Sequence, residues 1–461
     1  MKKLFVLDTN ILISDPRAIY GFEDNDVVIT HTTLQELDKK KSAPGELGFN
    51  AREAIREIEN LRTSSGNTDL TEAIIFENGG SFRVVADSVE YLKKMFGDSY
   101  ETDKPDNRII GTVLMLTDTL PTDVILVTND VAMRLLASCA HINKVESYKN
   151  DHVSEEEISY PGITIVKDFD PAYLNALENS IGGLSLKDID EEGIFGHKLC
   201  ENEYVSFEKE DYWMGTSIVI NQNGFLRHIP DELISDIFGV TAKNTAQKAA
   251  LCALSAQAKD IPLVILKGPA GCAKTFLSLA AGLDAVFDKK YDKVMITRSN
   301  VLSDNEFGFL PGDLSDKMGP LLAPFYDNLT NLYKNKEPKE DIEVINAEIN
   351  DLFDSGVLDI CAMAYMRGRS IANTYLIVDE AQNCSRSQIR DIITRAGIGT
   401  KIIICGDPSQ IDAKNLDSLN NGLVFASHRF KNNPLCAQIT FDSEQCVRSE
   451  LAKSAIDVLK L

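Results

Sequence analysis

The sequence predicts an α/β protein in which two parallel-sheet domains flank a smaller β-rich module. Short apolar strands alternate with amphipathic helices towards both ends of the 461-residue chain. This alternation is typical of parallel sheets that are covered by helices. The stretch between them is more acidic and less periodic, so we divide the chain into residues 1–146, 147–235 and 236–461.

The composition is that of an ordinary globular protein with a strongly acidic surface. Hydrophobic residues make up 44% and charged residues 25% of the chain, and the formal net charge is −23. Because such a charge repels nucleic acid at long range, a nucleic-acid partner would need a local basic groove or a metal-filled acidic pocket. The nine cysteines are scattered without a C-x-x-C pair, which disfavours a disulfide framework or a zinc site.

We expect a cytoplasmic protein without membrane contact. No apolar run approaches the roughly 20 residues that a membrane-spanning helix needs. The short apolar run at the N-terminus is broken by Asp8, Thr9 and Asn10 before it reaches the length of a signal-peptide core.

Runs of apolar residues locate the predicted strands and helices. In residues 1–146 the strands are KLFVLDT, DVVITH, FRVVA and DVILVTND, and the helices are GFNAREAIREIENLR and PDNRIIGTVLML. In residues 147–235 short antiparallel strands surround a turn at NQNG. In residues 236–461 the strands are rich in β-branched residues, as buried parallel strands are: PLVILKG, DKVMITR, VLDICA, TYLIVDEA and TKIIICGD.

The segment GPAGCAKT follows a predicted strand and precedes the predicted helix FLSLAAGLDAVF. Its glycines allow backbone N–H groups to turn towards a phosphate chain, and the helix N-terminus adds a favourable dipole. Lys274 would contact the β- and γ-phosphates, and Thr275 would hold Mg²⁺. We therefore predict an ATP site formed by Gly268, Pro269, Ala270, Gly271, Cys272, Ala273, Lys274 and Thr275.

Ala273 departs from the usual G-x-x-x-x-G-K-T pattern, which has glycine at this position. Alanine favours the right-handed helical backbone, so we expect Ala273 to enter the first turn of the helix. Its Cβ would crowd the phosphate, which puts the nucleotide affinity of the loop in question.

Three further segments fit a nucleotide site. Asp379 and Glu380 end a hydrophobic strand, where Asp379 can bind Mg²⁺ through water and Glu380 can polarise the attacking water. Gln410 follows a second strand and can contact the γ-phosphate, while Gln247 precedes the loop strand and can pair with an adenine edge. The alternative for the two acids is a strand that simply ends in exposed carboxylates.

Four acids are expected to gather in the N-terminal domain. Asp8 and Asp130 follow predicted strands, Glu36 lies in TTLQELDKKK, and Asp106 opens a predicted helix. Because sites in parallel α/β sheets form outside the carboxyl ends of strands, these carboxylates can converge there. Two Mg²⁺ or Mn²⁺ ions would neutralise their repulsion and activate water for phosphodiester cleavage. The alternative is ordinary helix capping by Asp8 and Asp106.

Five ordered blocks in residues 240–461 resemble the PhoH family, a RecA-like ATPase group related to superfamily-1 helicases. The blocks are GPAGCAKT, ITRSNVLSDNEFGFLPGDLSDKMGPLLAPFYDNL, YMRGRSI, TYLIVDEAQN and RAGIGTKIIICGDPSQID. The resemblance implies a RecA-like P-loop ATPase domain. Since only one such domain is evident, it also implies a homo-oligomeric ring, a hexamer as in the family, that completes the ATP site. Arg298 and Arg367 are preferred for reaching a γ-phosphate, the alternative being surface ion pairing.

Residues 1 to about 146 resemble a PIN domain, a metal-dependent nuclease fold. The resemblance rests on D-T-N in the first strand, the segment around Glu36, D-x-x-I from Asp106 and T-N-D ending at Asp130. It implies that these acids and Asp8 are catalytic metal ligands, in the arrangement of the PIN–PhoH proteins. The basic run at residues 39–41 can steer phosphate or form a solvated helix face.

These features predict an ATP-dependent ribonuclease in which a helicase-like ATPase moves RNA and the N-terminal acids cut it. ATP and Mg²⁺ or Mn²⁺ are the expected cofactors, and single-stranded or structured RNA is the expected partner. RNA rather than DNA is implied by the resemblance alone. One alternative is a nucleotide-responsive assembly that binds RNA without cutting it. The other is a nuclease whose ATPase domain only forms the oligomer.

Overall fold

The chain folds into two compact units, Met1–His152 and Val153–Leu461. The computed structural model describes residues 2–43, 45–66, 69–97, 101, 103–148, 160–167, 169, 176–177, 179–180, 182–189, 191–208, 217–299, 314–361, 363–366, 371–413, 416 and 421–442. Both units are mixed α/β structures built around parallel strands, which confirms the predicted fold class. No helix in these ranges is long and apolar enough to cross a bilayer.

The N-terminal unit contains a six-stranded sheet with the order β3-β4-β2-β1-β5-β6. Its strands are β1 (Leu4–Leu7), β2 (Asp26–Thr30), β3 (Ile74–Ile75), β4 (Ser81–Val85), β5 (Val124–Val127) and β6 (Val145–Glu146). The helices are α1 (Thr9–Ser14), α2 (His31–Lys40), α3 (Gly45–Ser64), α4 (Glu90–Phe96), α5 (Pro105–Thr119) and α6 (Val131–Cys139). All strand pairs are parallel except β3 with β4. The four strands and two helices predicted here are confirmed.

Apolar residues on both faces of β1 explain why it lies inside the sheet. Phe5 and Leu7 pack in one buried cluster, and Leu4 and Val6 pack in another on the opposite face. This two-sided burial is typical of a parallel strand covered by helices. β2 and β5 pair with opposite edges of β1, so the strand order changes direction between β1 and β5. The carboxyl ends of β1 and β5 therefore lie side by side at this switch point, where sites in parallel sheets form.

The second unit begins with a five-stranded sheet of order β7-β9-β10-β11-β8. Its strands are β7 (Ile163–Val166), β8 (Leu184–Ser185), β9 (Tyr204–Phe207), β10 (Ser217–Gln222) and β11 (Phe225–His228), and a short helix α7 spans Glu191–Phe195. The predicted NQNG turn is confirmed, since Gln222 pairs with Phe225 across Asn223 and Gly224. Both turn residues have positive φ, 55° and 75°, as this tight hairpin turn requires. Trp213 lies outside the described residues.

The C-terminal sheet has six parallel strands in the order β14-β13-β15-β16-β12-β17. They are β12 (Leu263–Lys267), β13 (Lys293–Arg298), β14 (Leu358–Ile360), β15 (Thr374–Asp379), β16 (Lys401–Gly406) and β17 (Cys436–Thr440). The helices are α8 (Thr245–Ser255), α9 (Lys274–Phe287), α10 (Leu314–Lys336), α11 (Ile342–Asp354), α12 (Arg386–Ile393) and α13 (Gly422–Arg429). The five predicted strands are confirmed, and β17 is additional.

The segment before β7 and the turn before β9 lie along the outer side of β17. The backbone N–H of Thr440 donates to the carbonyl oxygen of Pro161 at 2.9 Å. Asn202 donates through Nδ2 to the carbonyl oxygens of Pro434 and Cys436, at 2.9 and 3.2 Å. A Cβ at Gly162 would lie only 1.6 Å from the carbonyl oxygen of residue 438, so this close approach requires glycine.

A buried lysine ties the end of α8 to the C-terminal sheet. Lys401 donates through Nζ to the carbonyl oxygens of Ala253, Ala256 and Ile261, at 2.9, 2.7 and 2.9 Å. Burial lowers the pKa of Lys401 to about 7. An ammonium group at this position satisfies carbonyl groups left over at the helix C-terminus and complements its dipole. The bond therefore fixes the helix that precedes the β12 strand.

Candidate active sites

Asp8 and Thr128 form the centre of an acidic site at the carboxyl edge of the N-terminal sheet. Asp8 follows β1 and Thr128 follows β5, the strand that pairs with β1. The Thr128 hydroxyl donates to Asp8 Oδ2 at 2.8 Å, and the Asp8 side chain is buried, with a residue exposure of 2%. Topology thus brings together two residues that are 120 positions apart.

The buried Asp8 carboxyl is costly to ionise. Burial raises its pKa to about 6, and the negative charges of Asp106 and Glu36 add to the rise. The hydrogen bond from Thr128 opposes it. A carboxylate in such surroundings gains from a nearby cation, because the cation offsets both burial and like-charge repulsion.

The other three predicted acids face the same edge. Glu36 lies on α2, where the Thr9 hydroxyl donates to its Oε2 at 2.5 Å. Asp106 lies in the first turn of α5, and its pKa is raised by burial and by the charges of Glu36 and Asp130. Lys40 partly opposes this rise. Asp106 therefore lies within electrostatic reach of Asp8, Glu36 and Asp130, and Asp8 within reach of Glu36, whereas the joint role of the four acids stays a prediction.

Helix capping distinguishes Asp130 from Asp8. Asp130 caps α6, because its Oδ1 accepts from the backbone N–H groups of Ala132 and Met133 at 2.7 and 3.3 Å. Asp8 occupies the cap position of α1 but makes no side-chain cap hydrogen bond. The alternative that Asp8 serves as a helix cap is therefore wrong.

The four acids offer carboxylate oxygens, which are the ligand type that Mg²⁺ and Mn²⁺ prefer. Among the described residues, no three His, Cys, Asp or Glu side chains form a group that could hold a metal ion as they stand. The donor chemistry and the raised pKa of Asp8 fit a divalent cation. Tight coordination would still require side-chain movement, for which Glu36, bonded to Thr9, is the clearest case.

The phosphate-loop segment runs from β12 to α9 and contains three residues with positive φ. These are Gly268 at 143°, Gly271 at 86° and Ala273 at 68°. The N–H of Gly268 donates to the carbonyl oxygen of Gly406, and a Cβ at Gly268 would lie 2.7 Å from the Phe441 side chain. Close packing and unusual φ values thus require the glycine at position 268. Pro269, Ala270 and Cys272 complete the loop, and the Cys272 side chain is buried.

Ala273 does not enter the right-handed first turn of the helix, so that expectation was wrong. It precedes α9 with φ 68° and ψ 20°, in the left-handed region. The loop closes onto the helix through this residue, and that geometry overrides the right-handed preference of alanine. Left-handed backbone costs a residue with a Cβ about 1 kcal/mol, which explains why glycine suits this position.

Lys274 and Thr275 begin α9 and point into the predicted nucleotide site. Lys274 Nζ donates to the carbonyl oxygens of Gly268 and Pro269, at 2.7 and 3.0 Å, so its charge lies over the loop. The Thr275 hydroxyl donates to Asp379 Oδ1 at 2.7 Å. The structure therefore joins the loop to the end of β15, 104 positions further along the chain.

The carboxyl groups at the end of β15 lie in contrasting surroundings. Burial raises the pKa of Asp379, and the Glu380 charge adds to this rise. The Thr275 hydrogen bond and the cations Arg298 and Lys274 oppose it. Glu380 forms an ion pair with Arg298, whose Nη2 lies 3.3 Å from Glu380 Oε1. Arg298 thus lies beside the site, although its predicted contact with a γ-phosphate stays a prediction.

Two predicted glutamines occupy different surroundings. Gln410 is exposed, and its backbone oxygen accepts from the Gln382 amide at 2.9 Å. Gln247 is buried on α8, and its Oε1 accepts from the backbone N–H of Lys243 at 2.9 Å. The roles of these glutamines towards phosphate and adenine stay predictions. Arg367 lies outside the described residues, so its predicted contact with a γ-phosphate stays a prediction.

Gln382 is a contact residue of this site that sequence reasoning missed. Its Nε2 donates to Glu380 Oε2 at 2.5 Å, and its Oε1 accepts from the Asp407 backbone N–H at 3.0 Å. The available signal was the fourth residue of DEAQ, a polar side chain three residues after the end of a buried strand. Acids dominate the expected chemistry of that motif, which is why the amide was not singled out.

Comparison with known proteins identifies two domain families along the chain. Residues 239–460 match the family described as PhoH-like protein, and residues 5–149 match the PIN domain family. Protein PhoH2 of Bacillus subtilis (strain 168) is 35% identical over 474 residues, covering 100% of this chain and 100% of that protein. Protein PhoH2 of Thermobispora bispora is 28% identical, covering 99% of this chain and 97% of that protein. Protein PhoH2 of Mycolicibacterium smegmatis is 25% identical with the same coverage, 99% and 97%.

The fold and the two sites define a protein class that joins a nuclease-type domain to a P-loop ATPase-type domain. Such domains generally use a divalent metal and a nucleotide. The chain belongs to the PhoH2 family, with its PIN domain ahead of its PhoH domain.

Proposed function

We propose that this protein is an ATP-dependent RNA-processing enzyme that combines a metal-dependent endoribonuclease with a helicase-like ATPase. The observation that carries the proposal is that each unit has its own phosphate-directed site. In one, Asp8 is buried and feels the charges of Asp106 and Glu36. In the other, Thr275 bonds to Asp379, and the Lys274 ammonium lies over the loop. These two charge arrangements support cleavage of a phosphodiester and hydrolysis of a nucleoside triphosphate respectively.

In the ATPase, the loop N–H groups and the Lys274 ammonium bind the phosphate chain. Thr275 and Asp379, already bonded at 2.7 Å, would hold Mg²⁺. Glu380 orients and polarises the attacking water as general base. Arg298 limits the motion of Glu380 through the 3.3 Å ion pair. In this arrangement Glu380 would serve as the base beside the terminal phosphate.

In the nuclease, Asp8, Glu36, Asp106 and Asp130 would hold Mg²⁺ or Mn²⁺. A bound divalent ion supplies Lewis acidity and lowers the pKa of its water ligand. Thr128 holds the Asp8 carboxylate at 2.8 Å, and Thr9 holds that of Glu36 at 2.5 Å. Lys40, close enough to lower the pKa of Asp106, supplies positive charge near the acids for a phosphate backbone.

We further propose RNA as the substrate and a homo-oligomeric ring, a hexamer, as the working assembly in the cytoplasm. The family membership supports both, because the PhoH domain provides one face of an ATP site. A neighbouring subunit would supply the opposite face and an arginine towards the γ-phosphate. Lys40 on α2 provides the local basic charge that an acidic protein needs to accept RNA.

In the decisive experiment, the full-length protein is incubated with a structured RNA that carries a single-stranded tail. Reactions contain Mg²⁺ or Mn²⁺, with and without ATP, and products and released phosphate are both measured. We expect metal-dependent cleavage that ATP increases on the structured part. Asp8→Asn should abolish RNA cleavage and keep phosphate release from ATP. Lys274→Ala should abolish phosphate release and keep cleavage of the single-stranded tail. Cleavage that is unchanged in Asp8→Asn would refute the nuclease assignment.

A second function is favoured by one observation, namely that the described acids form no ready-made metal-binding group. In this alternative the protein is a nucleotide-responsive assembly that binds RNA without cutting it. Titration with Mn²⁺ separates the two functions. A cleavage product that grows with Mn²⁺ concentration supports the nuclease, and RNA binding without product supports the regulatory assembly.

A further inference from the structure

Gln382 lies between the two strand ends that carry the predicted ATPase chemistry. It follows β15 in the short helical turn Ala381–Asn383, and its side chain has no exposed area, 0%. Nε2 donates to Glu380 Oε2 at 2.5 Å and to the Gln410 carbonyl oxygen at 2.9 Å. Oε1 accepts from the Asp407 N–H at 3.0 Å. One amide group therefore joins the base after β15 to the loop after β16.

The orientation of this amide is fixed by its partners. Its NH₂ group faces a carboxylate and a carbonyl oxygen, while its oxygen faces an N–H group. Rotating the amide by 180° would oppose acceptors to acceptors and a donor to a donor. Gly406 leaves room for it, since a Cβ there would lie 2.4 Å from Gln382 Oε1. Packing and hydrogen bonding thus select the same arrangement.

Glu380 has an unusual backbone that needs support from its neighbours. Its φ and ψ are 50° and 43°, in the left-handed region that residues other than glycine seldom adopt. Arg298 holds one carboxylate oxygen, and Gln382 holds the other. Such strain persists where the surroundings determine it, and it is common at active sites. Gln382 and Arg298 are therefore the side chains in the described part of the chain that hold the Glu380 carboxylate.

The loop after β16, residues 407–410, contains both favourable hydrogen bonds and a buried oxygen whose burial is costly. Asp407 Oδ1 accepts from the N–H and hydroxyl of Ser409, at 2.9 and 2.6 Å. Asp407 Oδ2 is buried, and among the described residues it has no hydrogen-bond partner. An unsatisfied buried oxygen is costly, so this arrangement of the loop is less stable than one that satisfies it. The cost lowers the free energy needed to shift the loop.

We propose that Gln382 is a positioning residue that couples the Glu380 base to the 407–410 loop. The inference rests on the proposed ATPase function and deepens it. When the side chain of Gln410 engages or releases a terminal phosphate, the loop moves and changes its two bonds to the Gln382 amide. The same amide group holds Glu380 Oε2, so the orientation of the base follows the state of the loop. Hydrolysis is thereby linked to the loop that detects its product.

The test replaces Gln382 in the full-length protein and separates nucleotide binding from turnover. Gln382→Met keeps the approximate volume of the side chain but removes both donors and the acceptor. We expect the Kd for a fluorescent ATP analogue to stay within about 3-fold and kcat to fall at least about 10-fold, the scale of losing a positioned base. Gln382→Glu keeps the acceptor towards Asp407 but places a second charge beside Glu380, so its kcat should fall further.

Gln438→Met is the matched control. Gln438 is also buried, at 3% exposure, and its amide bonds to Ser427 through both Oε1 and Nε2, at 2.7 and 2.8 Å. It lies on β17 and has no bond to Glu380 or the 407–410 loop. We expect this variant to lose thermal stability, because it removes the hydrogen bonds of an amide that is as buried as that of Gln382. Its kcat should stay within about 2-fold of the wild-type value, because Gln438 does not contact the proposed base or the loop. Equal losses of kcat in the Gln382 and Gln438 variants would overturn the inference.

A double substitution tests the coupling itself. If Gln382 and Gln410 act as one unit, Gln382→Met combined with Gln410→Ala should lower kcat about as much as the worse single change. If the fold loss of kcat in the double variant equals the product of the losses in the two single variants, Gln382 and Gln410 are not coupled. The outcome is separate from that of the proposed function. A wild-type protein without ATP turnover refutes the ATPase, whereas an active wild type with a fully active Gln382→Met refutes only this inference.

Discussion

The acidic edge of the N-terminal sheet and the phosphate loop of the C-terminal sheet use similar topology with opposite charge. Each lies where parallel strands end and helices begin. At the acidic edge, burial and like charges raise the pKa of Asp8 to about 6. At the loop, Lys274 and Thr275 are already hydrogen-bonded within the site. One site concentrates negative charge in buried surroundings, and the other presents donors that suit negative charge.

The difference teaches how each site is encoded. The phosphate loop draws its donors from eight consecutive residues, so backbone conformation shapes it. The acidic edge draws one carboxylate from each of four separate segments, so the sheet and its helices must form before the acids meet. A local defect should therefore damage the loop alone, whereas a defect in β1 or β5 should disperse the acids.

The largest expected effects come from crossed substitutions at the two sites. Lys274→Ala should reduce ATP hydrolysis by about 1,000-fold or more, because it removes the charge at the β- and γ-phosphates. Asp8→Asn should reduce cleavage of an unstructured RNA by a similar factor, because it removes the most buried ligand. Each variant should keep the other activity within about 3-fold, with cleavage measured without ATP. Loss of both activities in one variant would contradict two separate sites.

The next largest effect concerns the free energy of unfolding of the protein, measured with a chelator present to remove metal ions. The Asp8 pKa rises from 3.8 to about 6 on folding, so ionised Asp8 costs on the order of 3 kcal/mol of folding free energy. The cost is absent below pH 3.8, grows as the pH rises to about 6 and is constant above that value. Asp8→Asn should therefore raise the free energy of unfolding at pH 7 but not at pH 3.5. Denaturant unfolding of the full-length protein at both pH values measures this.

Asp130→Ala is the control for this prediction. Asp130 caps α6 through two backbone hydrogen bonds, so its loss should destabilise the same unit by about 1 kcal/mol. Asp130→Asn should keep the cap and stay within about 0.5 kcal/mol of the wild type, since asparagine caps as well as aspartate. If Asp8→Asn destabilises the protein at pH 7 as Asp130→Ala does, the acidic edge is not under electrostatic strain.

The smallest expected effect is at Ala273. Ala273→Gly should stabilise the C-terminal unit by about 1 kcal/mol, because glycine adopts φ 68° without a Cβ penalty. It should also tighten binding of an ATP analogue. Ala285→Gly, in the right-handed interior of α9, should instead destabilise by at least about 1 kcal/mol. Thermal unfolding of both variants measures the change in stability. If both glycine substitutions destabilise the protein, the backbone at Ala273 is not strained.

The sequence predicted most strands, and it led us to expect neighbouring acids, for physical reasons. Runs such as VILV and YLIV are apolar and contain β-branched residues, so they predict buried parallel strands directly. β17 was missed because Gln438 interrupts its apolar run, although Ser427 satisfies the buried amide. Carboxylates after predicted strands could be expected to meet, because the ends of parallel strands share an edge.

The details that the sequence could not supply depend on long-range geometry. Alanine prefers right-handed helical backbone by itself, so only the closure of the folded loop reveals the left-handed Ala273. The bonds of Thr9 to Glu36 and of Thr128 to Asp8 join separate elements. The role of Gln382 depends on Asp407 and the backbone of Gln410, more than 20 positions away. Local patterns carry no information about such pairs.

The covering of β17 also limits how subunits can associate. An outer strand with free backbone groups is a template on which another chain can add a strand, which leads to aggregation. Here Pro161, Gly162 and Asn202 occupy the free side of β17 from within the same chain. Intermolecular strand addition is therefore blocked at this border of the C-terminal sheet, and a variant that uncovers β17 would expose a new site for aggregation.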